Sequence, residues 1–541
     1  MLASRKAVMI EAGMITALFA VGLAIRAIDL TKLAVYPDEL TYTVRATQII
    51  AANWAWPSTQ MWDQPPLFTY IVAVVIAGFG GTLESLRSIS VIFGASTIFV
   101  AYLLGKSMYG KVAGVLAATG VTFDGFHILY SRLLYIEALA NVMILGSILL
   151  FWEGIVKRRS TKVSVLGGIV FGLALDSKYI AMVAGVAMFL FLFLYWNKFG
   201  GKFPFKQVFL FFSTSVMMFV PVLLDLYVNN ANPFYFDLVE RFQQSHVNSL
   251  AVSIRSGSLF ALGFQRFVQV QFHVSSIDPY GVFPLFPFQV IAWAGIVAVV
   301  LTFFIFSFLK RSVPDGLLLI LFLALLAFAF EYPGKRVYFS LYPSMIFMVM
   351  MGRVGQLAVQ GIRRDRVRLR VIPTVSLAVI TLILMGLVIN MAAVPTVYQS
   401  GFGDWDELIP ITNYISANHN TNTSVASDLA VLDFYILENH VNVQLISMRL
   451  PEEYYNEPVV NQTLMVPLKG EYPLYYVLST TQIERVKPQY IIIPSLDYAS
   501  TSTDFHAFIN ERYFQPLNTK LILLFEIRPG NQSGSNLTGC C

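Results

Sequence analysis

Acidic side chains stand where apolar stretches of the chain end. Asp38 and Glu39 follow the first such stretch within Tyr36-Pro37-Asp38-Glu39, and Glu137 lies between two later ones. Ionisable groups in or beside a lipid phase are costly, so each is a functional candidate by default. Adjacent carboxylates at a membrane surface suit a general base or a cation site. A helix N-terminus capped by acids is the structural alternative for Asp38 and Glu39.

Basic side chains occupy similar positions. Lys178 lies in the turn Asp176-Ser177-Lys178-Tyr179 between two apolar stretches, and Arg132 precedes Glu137 by five residues. The turn is so short that we expect the Lys178 ammonium at the headgroup boundary, facing a lipid phosphate. Snorkelling is the structural alternative for Lys178, and a pair with Glu137 is the alternative for Arg132.

Two further cations, Lys335 and Arg336, come shortly before Tyr338. They fall on the side of the predicted membrane where basic residues are scarce, so they need a partner, and an anion is the natural one. Acids and cations together on one face suit transfer from a lipid phosphate. The cations would hold the phosphate leaving group, and a carboxylate would activate an acceptor hydroxyl.

The composition excludes a soluble enzyme. The chain has 541 residues, of which 56% are hydrophobic and 13% charged, and its mean hydropathy is +0.64. A soluble domain carries roughly 25% charged residues. The net charge of +5 is spread through apolar sequence, so the basic residues indicate membrane topology rather than nucleic-acid binding. The sparse histidines, His127 among them, lack metal-ligand spacing and are expected at the membrane interface.

The sequence therefore predicts a mainly α-helical polytopic membrane protein with eleven membrane-spanning helices. A membrane helix needs about 20 mostly apolar residues. The spans are expected near 9–28, 87–105, 111–129, 137–155, 163–178, 179–196, 206–225, 285–309, 314–331, 337–355 and 371–392. The stretch Leu67–Gly81 is short, and counting it as a crossing would place the basic loops outside, so we expect it to be juxtamembrane or re-entrant.

This topology places the N-terminus in the cytoplasm and the C-terminal part outside. Residues 1–395 form the predicted membrane module with a long first external loop, about 29–86, and residues 396–541 form a small external α/β domain. Four N-x-S/T sequons, all after Val394, are consistent with an external location of this domain. Within this domain, the expected helices are Asp404–Ala417 and Thr503–Arg512, and the expected strands are Tyr490–Pro494 and Lys520–Ile527.

A succession of short motifs resembles a known family. The motifs are Asp38-Glu39, Gln64-Pro65-Pro66-Leu67, Leu86-Arg87, Leu103-Leu104-Gly105-Lys106 to Tyr109-Gly110, Ser131-Arg132 with Glu137, and Lys178. In this order they resemble the polyprenyl-phosphate-sugar glycosyltransferases of the GT-C fold. The nearest branches are the protein O-mannosyltransferases and the aminoarabinose transferases of lipid A. The resemblance covers residues 1–395.

The resemblance implies roles for individual residues. Asp38 falls on the family's catalytic loop acid, Glu137 on its second acid, and Lys178 on its phosphate-binding lysine. Lys335 or Arg336 falls near a basic position that contacts the donor phosphate. The substrate-binding set is completed by Glu39, Tyr42, Gln64, Arg132 and Tyr338. Gln64 replaces the histidine that usually precedes Pro-Pro.

The predicted function is sugar transfer, hexosyl or pentosyl, from a polyprenyl or dolichyl phosphate to an external acceptor. The resemblance implies inversion by single displacement, with a protein hydroxyl as acceptor. One alternative is the same chemistry on a lipid or glycan acceptor. Another is a flippase or transporter for a lipid-linked sugar, although two external carboxylates would help such a protein little. A divalent metal is possible and has no assigned ligands.

Overall fold

The computed structural model describes residues 2–32, 37–55, 65–199, 203–228, 297–309, 311–331 and 337–363. Further along the chain it describes residues 410–411, 413–415, 417, 424–427, 444–447, 490–494, 503–518 and 522–527. These residues form two compact units. The first contains Met1–Ile28, Met61–Phe68 and Arg87–Val394, and the second contains Asp29–Gln60, Thr69–Leu86 and Pro395–Cys541.

The described part of the chain is mainly helical. In chain order its helices are α1 (Leu2–Ala27), α2 (Pro37–Ala51), α3 (Leu67–Phe79), α4 (Leu83–Tyr109), α5 (Lys111–Phe123), α6 (Gly125–Arg132), α7 (Ile136–Phe151), α8 (Thr161–Ser177), α9 (Ala181–Leu194), α10 (Phe205–Val228), α11 (Val297–Leu309), α12 (Val313–Glu331), α13 (Leu341–Arg363) and α14 (Thr503–Arg512). A π-helical turn, Trp152–Val156, extends α7, and 3-10 turns occur at Leu30–Lys32, Trp196–Phe199 and Val337–Ser340.

Several of these helices could cross a membrane. Among the described residues, four are long and apolar enough, namely Met9–Ala27, Leu83–Tyr109, Ile136–Val156 and Phe205–Leu224. The pair α5 and α6 gives a fifth candidate, bent by 58°. Shorter apolar helices occur at Leu67–Phe79, Ala181–Leu194, Val297–Leu309 and Val313–Ala329. The count of eleven spans and the non-crossing of Leu67–Gly81 stay predictions, and the expected span 371–392 lies outside the described residues.

Glycine and aromatic side chains let the central helices of the first unit pack closely. A side chain at Gly168 of α8 would overlap the Thr214 hydroxyl and the Phe211 carbonyl of α10. At the neighbouring Gly167 a side chain would overlap the Phe211 ring. The centroid of that ring lies 5.6 Å from that of Phe151 and 5.8 Å from that of Phe171. Aromatic pairs at such distances add to the stability gained by burial. Helices α7, α8 and α10 therefore form one tightly packed group.

The C-terminal part of the second unit contains a mixed sheet. Its strands are β1 (Ser424–Ser427), β2 (Gln444–Ser447), β3 (Tyr490–Pro494), β4 (Tyr513–Asn518) and β5 (Ile522–Ile527), in the order β2-β1-β3-β5-β4. Strand β1 runs parallel to β2 and β3, and β5 runs antiparallel to β3 and β4. Pro516 lies in β4, at the sheet edge, where a missing N–H breaks no ladder on the outer side.

Three of the four elements expected here are confirmed. Helix Thr503–Arg512 and strand Tyr490–Pro494 have the expected bounds, and the last strand begins at Ile522. The described residues of 410–417 are helical, as expected, and 404–409 lie outside the described residues. Tyr414 in this segment donates a hydrogen bond to Glu526 Oε2 at 2.8 Å. Burial, and then this hydrogen bond, raise the pKa of Tyr414.

Candidate functional site

A buried ion pair joins two of the predicted site residues. Lys178 Nζ donates to Glu137 Oε1, and the two side chains are only 6% and 1% exposed. Glu137 lies in the first turn of α7, and Lys178 follows the last residue of α8. Helices α7 and α8 pack together, so the N-terminal end of one meets the C-terminal end of the other. Both charges therefore also have favourable positions relative to the helix dipoles.

Lys178, expected to face a lipid phosphate at the headgroup boundary, faces a carboxylate of the protein itself. The lysine is buried, because the ammonium turns inward to Glu137 and lies 5.1 Å from the centroid of the Phe339 ring. Phe339 belongs to the 3-10 turn that precedes α13. The turn also contains Tyr338, whose side chain lies outside the described part. Lys335 and Arg336, directly before it, lie outside the described residues as well.

The segment between α6 and α7 is held at both ends. At its start, the guanidinium of Arg132 donates a 2.6 Å hydrogen bond to the Ile28 carbonyl. At its end, the Ser90 hydroxyl of α4 donates to the Tyr135 carbonyl at 3.2 Å and accepts from the Tyr135 N–H at 3.1 Å. Tyr135 directly precedes α7, so these contacts fix the point at which the helix carrying Glu137 begins.

Asp124 makes the bend between α5 and α6 possible. Its carboxylate caps α6 by accepting from the N–H groups of Phe126 at 3.1 Å and His127 at 3.4 Å. Its other oxygen accepts from the Ser344 hydroxyl of α13 at 3.0 Å. Since the first N–H groups of a helix have no partner inside it, a buried bend without such a cap would leave them unsatisfied.

Arg26 supplies the matching donors on the other side of the bend. Its guanidinium donates to the carbonyls of Val121 at 2.9 Å and Thr122 at 3.4 Å, which lie at the end of α5, and to Gly22 at 2.9 Å. It also lies 2.9 Å from His127 Nδ1. The His127 ring, expected at the membrane interface, is buried among these groups.

This group of buried polar residues was not predicted from the sequence. The signal available was Asp124-Gly125, a carboxylate followed by a glycine inside the expected span 111–129. Its meaning depends on Arg26 and Ser344, which are far away in the chain. Ser90 and Phe339 were missed for the same reason.

Three further predicted residues, Asp38, Glu39 and Tyr42, lie on α2, in the second unit. Asp38 and Glu39 occupy its first turn, where the helix dipole favours carboxylates. Asp38 is partly exposed, whereas Glu39 and Tyr42 are buried. Thr43 donates to the Glu39 carbonyl at 2.8 Å. A helix N-terminus with acids in its first turn, which was the alternative to a general base or a cation site, is therefore present. Gln64 lies outside the described residues.

The structure thus places Arg132, Glu137 and Lys178 in the first unit, with the last two in contact. Asp38, Glu39 and Tyr42 are close neighbours on one helix of the second unit. Across the described part of the chain, no group of three or more His, Cys, Asp or Glu side chains could hold a metal ion.

Comparisons with known proteins agree on one fold. Residues 63–224 match the family model described as dolichyl-phosphate-mannose-protein mannosyltransferase. No curated protein matches the chain in sequence. The structure of ArnT from Cupriavidus metallidurans bound to undecaprenyl phosphate matches with a TM-score of 0.60 and 14% identity, covering 95% of this chain and 98% of that one.

A second match is the archaeal oligosaccharyltransferase AglB from Archaeoglobus fulgidus in complex with an inhibitory peptide and a dolichol-phosphate. Its TM-score is 0.57 at 12% identity, covering 96% of this chain and 74% of that one. The segment that matches the family model contains Arg132, Glu137 and Lys178. The resemblance seen in the sequence is confirmed: this chain has the GT-C fold and is similar to the polyprenyl-phosphate-sugar glycosyltransferases.

Proposed function

We propose that the protein transfers a sugar from a polyprenyl phosphate to an external acceptor hydroxyl. The observation that supports this most is the buried pair of Lys178 and Glu137 inside the segment that matches the mannosyltransferase model. A buried charge is retained only where it is paired. The structures with this fold include one bound to undecaprenyl phosphate and one bound to dolichol-phosphate, and the proposal extends that ligand class to this chain.

Lys178 would bind the phosphate of the donor. An ammonium has three N–H donors, so its contact with Glu137 is compatible with a second contact to a phosphate oxygen. Glu137 would then hold the ammonium in place while the leaving phosphate gains negative charge. Such preorganised stabilisation is often the largest single contribution to catalysis. Lys335 or Arg336 would supply a second cation.

Asp38 would act as the general base. It removes the proton of the acceptor hydroxyl, whose oxygen attacks the anomeric carbon as the bond from that carbon to the phosphate oxygen breaks. The polyprenyl phosphate leaves with the electron pair, and the anomeric configuration inverts. General-base assistance contributes typically 10²- to 10⁴-fold. Glu39, Tyr42, Gln64, Arg132 and Tyr338 would line the donor and acceptor positions.

A protein hydroxyl is the proposed acceptor, because the matching family model describes a protein mannosyltransferase. A lipid or glycan acceptor is the alternative for the same chemistry. A flippase for a lipid-linked sugar would bind the donor and transfer nothing.

The test is an assay of the purified protein with radiolabelled polyprenyl-phosphate hexose and a membrane extract. We expect label in the protein fraction, and loss of transfer in Asp38→Asn, which keeps the shape of the side chain and cannot accept the proton. Asp29→Asn is the matched control, because Asp29 has a positive φ of 52°, a conformation that asparagine adopts readily. Undiminished transfer in Asp38→Asn would refute the assignment of the base. Donor binding without transfer by the wild type would favour the flippase.

We further propose that the N-terminus is cytoplasmic and that residues 396–541 form an external domain. The basic residues near Lys162 and the sequons after Val394 support this orientation. After replacement of Cys540 and Cys541 by serine, a membrane-impermeant thiol reagent should label Asn461→Cys and leave Lys162→Cys unlabelled in intact cells. The reverse pattern would contradict the topology.

A further inference from the structure

The ends of α7 and α8 opposite the Glu137–Lys178 pair carry a second group of charged and aromatic residues. It consists of residues 157–162, which lead from α7 into α8, and of residues 196–199 and 203–206, which follow α9 and lead into α10. We call it the basic–aromatic end. Lys157 follows Glu137 by 20 residues along a nearly continuous helix, which corresponds to about 30 Å at 1.5 Å per residue. The group is therefore distinct from the proposed donor site.

Arg158 ties the two connections together. Its guanidinium donates to the Phe199 carbonyl at 2.9 Å and lies 6.0 Å from the centroid of the Phe199 ring. The backbone of Arg158 has a positive φ of 55°, which is uncommon for any residue except glycine. An arginine is present where glycine would be less strained, and its side chain provides the link. The two connections are thus held together at one end of the helix group.

Cations greatly outnumber acids here. Six described basic residues (157, 158, 159, 162, 198 and 206) occur in these segments, which contain no acid. Along the chain the nearest acid is Glu153, one turn before Lys157, and it already accepts from Lys157 at 3.0 Å and Arg159 at 3.1 Å. Arg159, Lys162, Lys198 and Lys206 are exposed. One carboxylate cannot neutralise this charge, so the group attracts anions.

An aromatic platform lies beside the cations. The rings of Trp196 and Phe203 stack with centroids 3.9 Å apart, and Phe205 meets the Trp196 ring edge-on at 5.6 Å. Trp196 is 45% exposed and Phe205 is 64% exposed. An exposed tryptophan such as Trp196 is typical of the level of the lipid headgroups, because its ring is amphipathic. Phe205 begins one membrane-capable helix, and Lys157 follows directly after another.

We propose that the basic–aromatic end binds the phosphate headgroup of an anionic phospholipid. The cations would contact the phosphate, the Trp196 platform would lie at the glycerol level, and the acyl chains would lie along the exposed apolar side chains of Phe193 and Phe209. Charge complementarity selects an anionic lipid over a zwitterionic one, because basic clusters at the end of a membrane helix attract anionic headgroups. This site is independent of the donor and of the transfer reaction.

The experiment compares thermal midpoints in nanodiscs of phosphatidylcholine with and without phosphatidylglycerol. One variant removes charge: Arg159→Gln, Lys162→Gln and Lys198→Gln combined. The matched control exchanges the same residues conservatively: Arg159→Lys, Lys162→Arg and Lys198→Arg. In pure phosphatidylcholine both should melt like the wild type, because exposed substitutions of this kind change stability little, and that result shows that both fold.

We expect phosphatidylglycerol to raise the midpoint of the wild type and of the charge-conserving control, and the glutamine variant to lose most of that gain. High salt should reduce the gain, since the Debye length falls to about 3 Å at 1 M. An equal gain in the glutamine variant would overturn the proposal. An equal gain from inorganic phosphate in pure phosphatidylcholine would overturn the lipid assignment. If undecaprenyl phosphate raises the thermal midpoint and only Lys178→Met loses that rise, the rise comes from the donor site and not from the basic–aromatic end.

Discussion

The two ends of helices α7 and α8 contain the same kinds of residue in opposite surroundings. At one end Glu137 and Lys178 form an ion pair whose side chains are 1% and 6% exposed. At the other end Glu153 and Lys157 form an ion pair whose side chains are 12% and 37% exposed. Breaking a buried pair leaves a charge without compensation, whereas exposed pairs contribute roughly 0–1 kcal/mol. The two ends therefore differ in how deeply their ion pairs are buried, and not in residue type.

The same contrast explains why the proposed chemistry belongs at the buried end. Away from water, a lysine interacts more strongly with a developing phosphate charge, because the effective dielectric constant is lower. At the exposed end, solvent and salt weaken each contact, and a surplus of cations is needed to retain an anion. The buried end therefore suits a defined catalytic contact, and the exposed end suits a diffuse lipid interaction.

The largest expected effect is loss of stability when the buried pair is broken. Lys178→Met and Glu137→Gln should each destabilise the protein by about 3–5 kcal/mol, seen as a lower thermal midpoint in nanodiscs. The double variant Glu137→Leu/Lys178→Met should lose clearly less than the sum, because neither charge remains buried alone. Additive losses would show that the two side chains are not coupled.

A smaller effect is expected from two helix caps, of which Asp124 is buried and Ser160 lies near solvent. Asp124→Ala removes the cap of α6 and the bond from Ser344, and should cost about 1–3 kcal/mol, since the buried N–H groups and the hydroxyl lose their acceptor. Ser160→Ala removes the cap of α8, where Ser160 Oγ accepts from the Lys162 N–H at 3.2 Å near solvent. It should cost about 0.5–1 kcal/mol. Equal midpoint shifts for the two variants would contradict the comparison.

The smallest effect is expected at the less buried pair, Glu153 and Lys157. Glu153→Gln should change stability by less than about 1 kcal/mol, and the small difference should vanish in high salt. Ser107 also donates to Glu153, and a glutamine can still accept that hydrogen bond. A thermal midpoint that falls as far as in Glu137→Gln would show that burial does not separate the two ends.

Much of the helical framework was predictable, because hydropathy and length identify a membrane helix without knowledge of its neighbours. The bounds of α8, Thr161–Ser177, lie close to the span expected at 163–178. Strands β1 and β2 were missed because Ser-Val-Ala-Ser and Gln-Leu-Ile-Ser are too short for a periodic pattern. Strand β2 pairs with β1, and β1 pairs with β3, a strand distant in the sequence.

For the site, the sequence predicted which residues belong to it but not the contacts between them. The resemblance singled out Glu137 and Lys178, yet neither residue type nor spacing indicates that the lysine turns inward. That contact depends on how α7 packs against α8. Asp124 shows the same limit, since its hydrogen-bonding partner Ser344 is 220 positions away. Local sequence reports burial poorly when the burying residues come from other helices.

The most direct test of the central claim is the affinity for undecaprenyl phosphate of the wild type and of three variants. A charge-assisted contact is worth about 1.5–3 kcal/mol, so Lys178→Met should raise the Kd by about 10-fold or more. Glu137→Leu/Lys178→Met should also bind weakly while keeping its fold, which separates lost binding from lost stability. Lys157→Met, from the exposed end, should bind like the wild type. An unchanged Kd in the folded double variant would contradict the claim that Lys178 binds the donor phosphate.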